Sequence, residues 1–92
     1  MNKGELVDRI AQKATVTKKQ ADAVLSAAIE TIMEAVSEGD KVTLVGFGSF
    51  ERRHRKEREG RNPKTGDKML IPETEVPAFS AGKLFKDRVA NK

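Results

Sequence analysis

The 92-residue chain is predicted to be α+β, with a helical hairpin, a long β-ribbon arm and a closing helix. Three observations lead there. Apolar residues recur at 3, 4 spacing from Leu6 to Val36 and stop before Gly39. Two limbs, Gly46–Gly60 and Lys68–Val76, flank the stretch Asn62-Pro63-Lys64-Thr65-Gly66-Asp67, whose Asn, Pro and Gly are the residues of a hairpin turn. The outbound limb, Glu51–Glu59, has almost no apolar side chain to bury, so it stands out from the body as a ribbon. An isolated two-stranded ribbon is marginal in water, and a basic one is expected to order on a polyanion.

The elements follow in order. Asn2 is placed to cap a helix over about 3–14, with Glu5 three residues on. Leu6, Val7, Ile10 and Ala14 are its expected inner face. Thr17 and Gln20 make a second capping box, with Val16 and Ala21 as a staple. The second helix carries Ala21, Val24, Leu25, Ala28, Ile29, Ile32 and Val36 on one stripe and ends with Gly39 as its C′ residue. Lys41–Val45 is a short strand. Gly46 and Gly48 bracket Phe47, and let the strand bend, leave bare main chain against which a nucleic-acid backbone lies, or both. Leu25, Ile29, Ile32, Leu44, Phe47, Phe50 and Phe79 are assigned to a core shared between two chains. The arm from Arg52 to Asn62 reaches roughly 30 Å. With its tip centred near Lys64, Arg53 faces Glu75 and Arg55 faces Glu73. Pro72 suits a ribbon whose missing N–H points outward. Ser80 is expected to cap a closing helix, Ala81–Val89, with Leu84, Phe85 and Val89 inward and a phosphate-ready N-terminus. The organisation is a single domain, 1–92, made of a helical hairpin (1–40), a β-saddle and arm (41–80) and a C-terminal helix (81–90).

Composition narrows the function. A single core of this size is marginal, and pairing with a second copy is a common remedy, so a homodimer is expected. There is no Cys for a disulfide or a thiolate metal site. Neither a membrane span nor a signal peptide is visible, so the cytosol is the expected compartment. Residues 1–40 hold five Lys/Arg against seven Asp/Glu, whereas residues 41–92 hold thirteen against seven. The positive charge therefore coincides with the projecting arm, as in a nucleic-acid binder. His54 is the single histidine and reads as a solvent-facing side chain, with no partner for metal or general-base chemistry. Glu57 and Glu59 lack an apolar setting for acid catalysis, and Gly46-Phe47-Gly48 is not a dinucleotide fingerprint. The chain is read as a binding protein without cofactor, metal or small-molecule substrate, and not as an enzyme.

Gly46-Phe47-Gly48-Ser49-Phe50, Arg55, Arg58, Gly60, Asn62-Pro63-Lys64-Thr65-Gly66 and Val76-Pro77-Ala78-Phe79-Ser80-Ala81-Gly82-Lys83 strongly resemble the bacterial HU/IHF family of DNA-bending proteins. The resemblance runs from Met1 to about Ala90 and is nearer the HU branch, of a cyanobacterial kind, than the IHF branch. It implies an intertwined homodimer with a helical base, a β-saddle and two arms that enter the minor groove of double-stranded DNA. It also implies a nucleoid protein that wraps and compacts DNA with little sequence preference. The family is itself a standing example of bending by an apolar wedge, so that mechanism comes with the resemblance rather than from these residues. Carried over by position, the DNA contacts are Arg53, Arg55, Arg58, Arg61, Asn62 and Pro63 on the arm, Gly46 and Gly48 on the saddle, and Lys3, Ser80, Lys83 and Lys86 on the flanks. Glu73 and Glu75 depart from the small or basic residues expected there, and would neutralise part of the arm or tie it into one shape. The rival readings are a sequence-specific IHF-type subunit and, further off, an RNA-binding protein.

Overall fold

The structure is a computed structural model that describes residues 1–91. Its elements are α1 (Lys3–Ala14), α2 (Lys18–Ser37), β1 (Val42–Leu44), β2 (Gly48–Arg55), β3 (Arg58–Arg61), β4 (Lys68–Ile71), β5 (Thr74–Ala81) and α3 (Lys83–Ala90). Three helices with antiparallel strands and an extended ribbon make up the expected α+β class. The chain groups into two compact units, Met1–Glu34 and the part from Ala35 onward.

In the first unit both helix starts are set by side-chain caps. Asn2 Oδ1 accepts the Glu5 N–H at 2.9 Å. Thr17 Oγ1 accepts the Gln20 N–H at 3.1 Å, and Gln20 Oε1 accepts the Thr17 N–H at 3.0 Å, so the second capping box is closed on both sides. Val7, Ala11 and Ala21 are buried, with Ile10 and Leu25 packed against them. The inner face of α1 is therefore rotated from the expected one. Ala11, one turn after Val7, takes the inner position, while Leu6 and Ala14 are exposed.

The second unit begins with the end of α2. Gly39 has φ of +96° and donates to the Val36 carbonyl at 3.0 Å, while the Asp40 N–H reaches the Ala35 carbonyl at 2.9 Å. This is a Schellman motif with Gly39 at C′, as its position predicts. The chain then forms a sheet in the order β1-β2-β5, all antiparallel, with Leu44 opposite Gly48 and Gly48 opposite Ala81.

Beyond the sheet, β2 and β5 run on as a pair to Arg55 and Thr74, and β3 and β4 pair from Arg58–Ile71 to Arg61–Lys68. The two ladders keep one register across a gap at Lys56-Glu57 and Pro72-Glu73, where no rungs form. Pro72 has no N–H to donate, which accounts for the missing pairing on its side. The register differs by one residue from the expected one: Arg53 lies opposite Val76, His54 opposite Glu75 and Arg55 opposite Thr74. The tip is centred between Lys64 and Thr65 rather than on Lys64. A slip of one residue exchanges the two faces of a strand, so it is His54 that meets Glu75.

Two further expectations are corrected here. Ser80 does not cap α3; it lies within β5, and the N-cap is Gly82, which has no side chain to give. The ladder with β2 holds the chain extended through Ala81, the expected first residue of the helix, so α3 starts two residues later at Lys83. Gly46 and Gly48 are also not a bare floor. A Cβ on Gly48 would lie 2.6 Å from the Phe79 ring and from the Ser80 carbonyl oxygen, and Gly48 is buried. A Cβ on Gly82 would lie 2.8 Å from the Gly46 carbonyl. Gly46, Gly48 and Gly82 thus let the β1–β2 turn dock on the start of α3. The Gly82 N–H donates to Phe47 O at 2.8 Å and the Phe85 N–H to Gly46 O at 3.1 Å.

Candidate nucleic-acid interface

The arm divides by charge pairing. At its base the cations are held. Arg53 donates from Nε and Nη2 to Glu51 Oε1, both at 3.1 Å, and from Nη2 to Ser80 Oγ at 3.0 Å. Residues 51 and 53 share a strand face, which allows the fork. Arg52 donates to the Ser37 carbonyl at 3.0 Å and lies 3.5 Å from Glu75. His54 sits between two carboxylates, with Nδ1 2.8 Å from Glu75 and Nε2 3.4 Å from Glu73. It is solvent-facing, as expected, and in addition it is paired with two carboxylates. The hydrogen bond with Glu75 is the main cause of a raised His54 pKa; desolvation opposes it, and both carboxylate charges add to it.

Further out the cations are free. Among the described residues, Arg55, Lys56, Arg58, Arg61, Lys64 and Lys68 have no hydrogen-bonding or ion-pair partner for their side chains, and all six are exposed. Exposed pairs such as those at the base contribute little to stability, but they lower the local positive potential. The distal arm therefore carries the net charge. Lys56, Lys64 and Lys68 join the expected arginines there, and the basic run in the sequence was the signal for them.

The tip is built by Asn62. Its carbonyl accepts the Gly66 N–H at 2.7 Å, its N–H donates to Asp67 O at 2.8 Å, and its Oδ1 accepts the Lys64 N–H at 2.9 Å. Gly66 takes φ of +75°, which the turn requires. Asn62 thus spends its side chain on the turn, and Pro63 is left exposed at the end of the arm. Below the tip, the space in front of Gly60 is filled by Ile71, whose Cδ1 would lie 2.8 Å from a Cβ there.

The other expected contacts sit in different places. Lys3 donates to Ser26 Oγ at 2.7 Å and lies 3.6 Å from Asp22, in the first unit. On α3, Lys83 bonds Asp87 at 2.9 Å, while Lys86 has no partner among the described residues. No group of three or more His, Cys, Asp or Glu placed to hold a metal ion occurs among the described residues, and no helix there is long and apolar enough to cross a membrane.

All four Phe residues gather in the second unit. Phe47 stacks on Phe85 at 5.4 Å between centroids, and Phe50 and Phe79 lie 4.9 Å apart. Phe85, expected to point inward from the closing helix, joins this cluster, whereas Leu84 and Val89, expected inward with it, are exposed. In one chain the rings stay half open, with Phe47 46%, Phe79 41% and Phe85 38% exposed.

An extended basic ribbon with a proline tip, joined to a three-stranded sheet in a three-helix chain, is the architecture of a DNA-binding class. The chain belongs to the bacterial DNA-binding protein family, whose model matches residues 1–90. Within it, the chain is 79% identical over 90 residues to DNA-binding protein HU of Nostoc sp., covering 98% of this chain and 96% of that one. It is 72% identical to DNA-binding protein HU of Synechocystis sp. over 96 residues, with the same coverage. The solved Anabaena HU–DNA cocrystal structure matches all of both chains with a TM-score of 0.94 at 77% identity. The resemblance to HU, and to HU of the cyanobacterial type, is thus confirmed.

Proposed function

We propose that this protein is an architectural double-stranded DNA-binding protein that bends and compacts DNA with little sequence preference. It acts as a homodimer within the bacterial nucleoid, in the cytoplasm. The observation that carries this reading is the cluster of six unpaired cations on the distal arm around an exposed Pro63. Such a surface neutralises phosphates without reading bases, and the minor groove offers only a degenerate code. The Anabaena relative in complex with DNA supports the same partner. The half-open Phe cluster with Leu44 in the second unit, and separately the exposed Ile29 in the first, leave apolar surface for a second copy to cover.

On this reading Arg55, Arg58 and Arg61 hold phosphates or the groove floor, Lys86 adds a flank contact, and Pro63 enters a base step. Arg53, Lys3 and Lys83 reach DNA only by exchanging their present partners. Gly46, Gly48, Asn62 and Ser80 act through the shape of the main chain and turn. Binding of intact, nicked and mismatched duplexes of one sequence, with bending followed by fluorescence transfer, tests the reading. Pro63 is the only rigid apolar group at the tip. Pro63→Ala is expected to lose bending, and to lose more affinity on intact than on nicked duplex, because a nick removes part of the unstacking cost of a few kcal/mol. An unchanged bend angle in the variant's complexes would sink the wedge.

A further inference from the structure

His54 occupies a place that a neutral imidazole fills poorly. One ring nitrogen faces Glu75 at 2.8 Å and the other faces Glu73 at 3.4 Å. A neutral ring has one N–H and donates to only one of them; imidazolium donates to both. The surrounding charges are fixed. Arg52 lies on the same face of β2 and pairs with Glu75. Lys56 follows two residues after His54 and has no partner among the described residues. Arg53 is turned to the other face, onto Glu51 and Ser80, and the unpaired Arg55 alternates to that face as well. The group of Arg52, His54, Glu73 and Glu75 therefore carries one net negative charge when His54 is neutral and none when it is protonated. The group sits at the base of the arm, next to the cations assigned to DNA.

We propose that His54 makes DNA binding by this protein proton-linked: forming the complex takes up a proton at His54, so affinity falls as pH rises through its titration. The inference rests on the DNA-binding reading above. A DNA backbone laid along the arm brings phosphates within a screening length of about 8–10 Å of the ring, which favours the charged imidazole further. The carboxylates already act in that direction in the free protein, where the pKa is raised chiefly by the Glu75 hydrogen bond. The sign follows from linkage. The form that binds more protons, here the complex, gains on acidification, and the gain vanishes above the bound-state pKa. A His54 pKa higher in the complex than in the free protein by about half a unit to one unit would shift Kd about three- to tenfold across the titration.

The test uses the intact untagged protein and a duplex of fixed sequence at constant ionic strength, with Kd measured from about pH 5.5 to about pH 8.5. His54 is the single histidine, so its ring resonances report its pKa in the free and bound states without interference. The expected result is a three- to tenfold weaker Kd at the alkaline end, a higher pKa in the complex, and a flat profile for His54→Gln. Glu73→Gln and Glu75→Gln should each lower the pKa of the free protein. Equal pKa values in the two states, or an undiminished pH dependence in His54→Gln, would overturn the proposal. Absence of binding at every pH would overturn the DNA-binding reading instead, and the inference with it.

Discussion

Single residues decide which cations of the arm are available. Arg58 and Arg61 are unpaired, whereas the Arg53 guanidinium is already satisfied by Glu51 and Ser80. Arg58→Ala and Arg61→Ala are each expected to weaken binding to all sequences alike and to lower the slope of log K against log salt by about one. Arg53→Ala should change it by clearly less, since its cation starts neutralised. A salt titration of the three variants checks this; equal slopes for all three would show that the Glu51 pairing does not matter to binding. Gly48 is a different kind of residue. With φ of +155° and the Phe79 ring at 2.6 Å from any added Cβ, Gly48→Ala forces the ring and the β5 backbone apart. A stability loss of about 1–3 kcal/mol in denaturant unfolding is expected, from overpacking.

At the scale of elements, the legible parts were those with local chemistry. The Asn2 and Thr17 caps and the Gly39 terminator each act within a few residues, so sequence placed them and the structure closes the same hydrogen bonds. The α3 boundary was missed because Ser80 has the chemistry of a cap, and only its pairing opposite Ser49 keeps it in a strand. The arm register was missed for a related reason. Register is set where one face is buried, and both limbs near His54 are exposed and charged. His54, Glu73 and Glu75 therefore looked unconnected until the ladder placed them together. The Gly82 contribution was invisible because it depends on Gly46 approaching from another part of the chain. The gap at Pro72 gives the arm two separate ladders, the outer with four residue pairs and the inner with eight. Amide exchange should therefore be fastest in β3 and β4 and slowest in β2 near Phe50, in free protein at one pH. Uniform protection along the whole ribbon would contradict an interrupted ladder.

At the scale of the whole molecule, the apolar ledger of one chain does not close on itself. Only Val7, Ala11, Ala21 and Val36 are buried hydrophobics among the described residues, while Val24, Met33, Leu84 and Val89 join the Phe rings on the surface. A chain with so small a core needs a second copy to cover the rest. Thermal stability should consequently depend on protein concentration, with each tenfold dilution removing about 1.4 kcal/mol from the dimer. A melting temperature that stays constant over a hundredfold dilution, with a monomer mass in solution, would rule out the obligate pair.

The missing rungs at Lys56-Glu57 and Pro72-Glu73 also have a mechanical side. Each intact ladder resists shear along its whole length, whereas two strands without cross-links can twist about each other at little cost. A torque applied at the tip would therefore be taken up at this joint before either ladder has to peel. On the DNA-binding reading proposed above, such a joint would let the distal segment follow a groove of varying width while the inner ladder stays paired to the sheet.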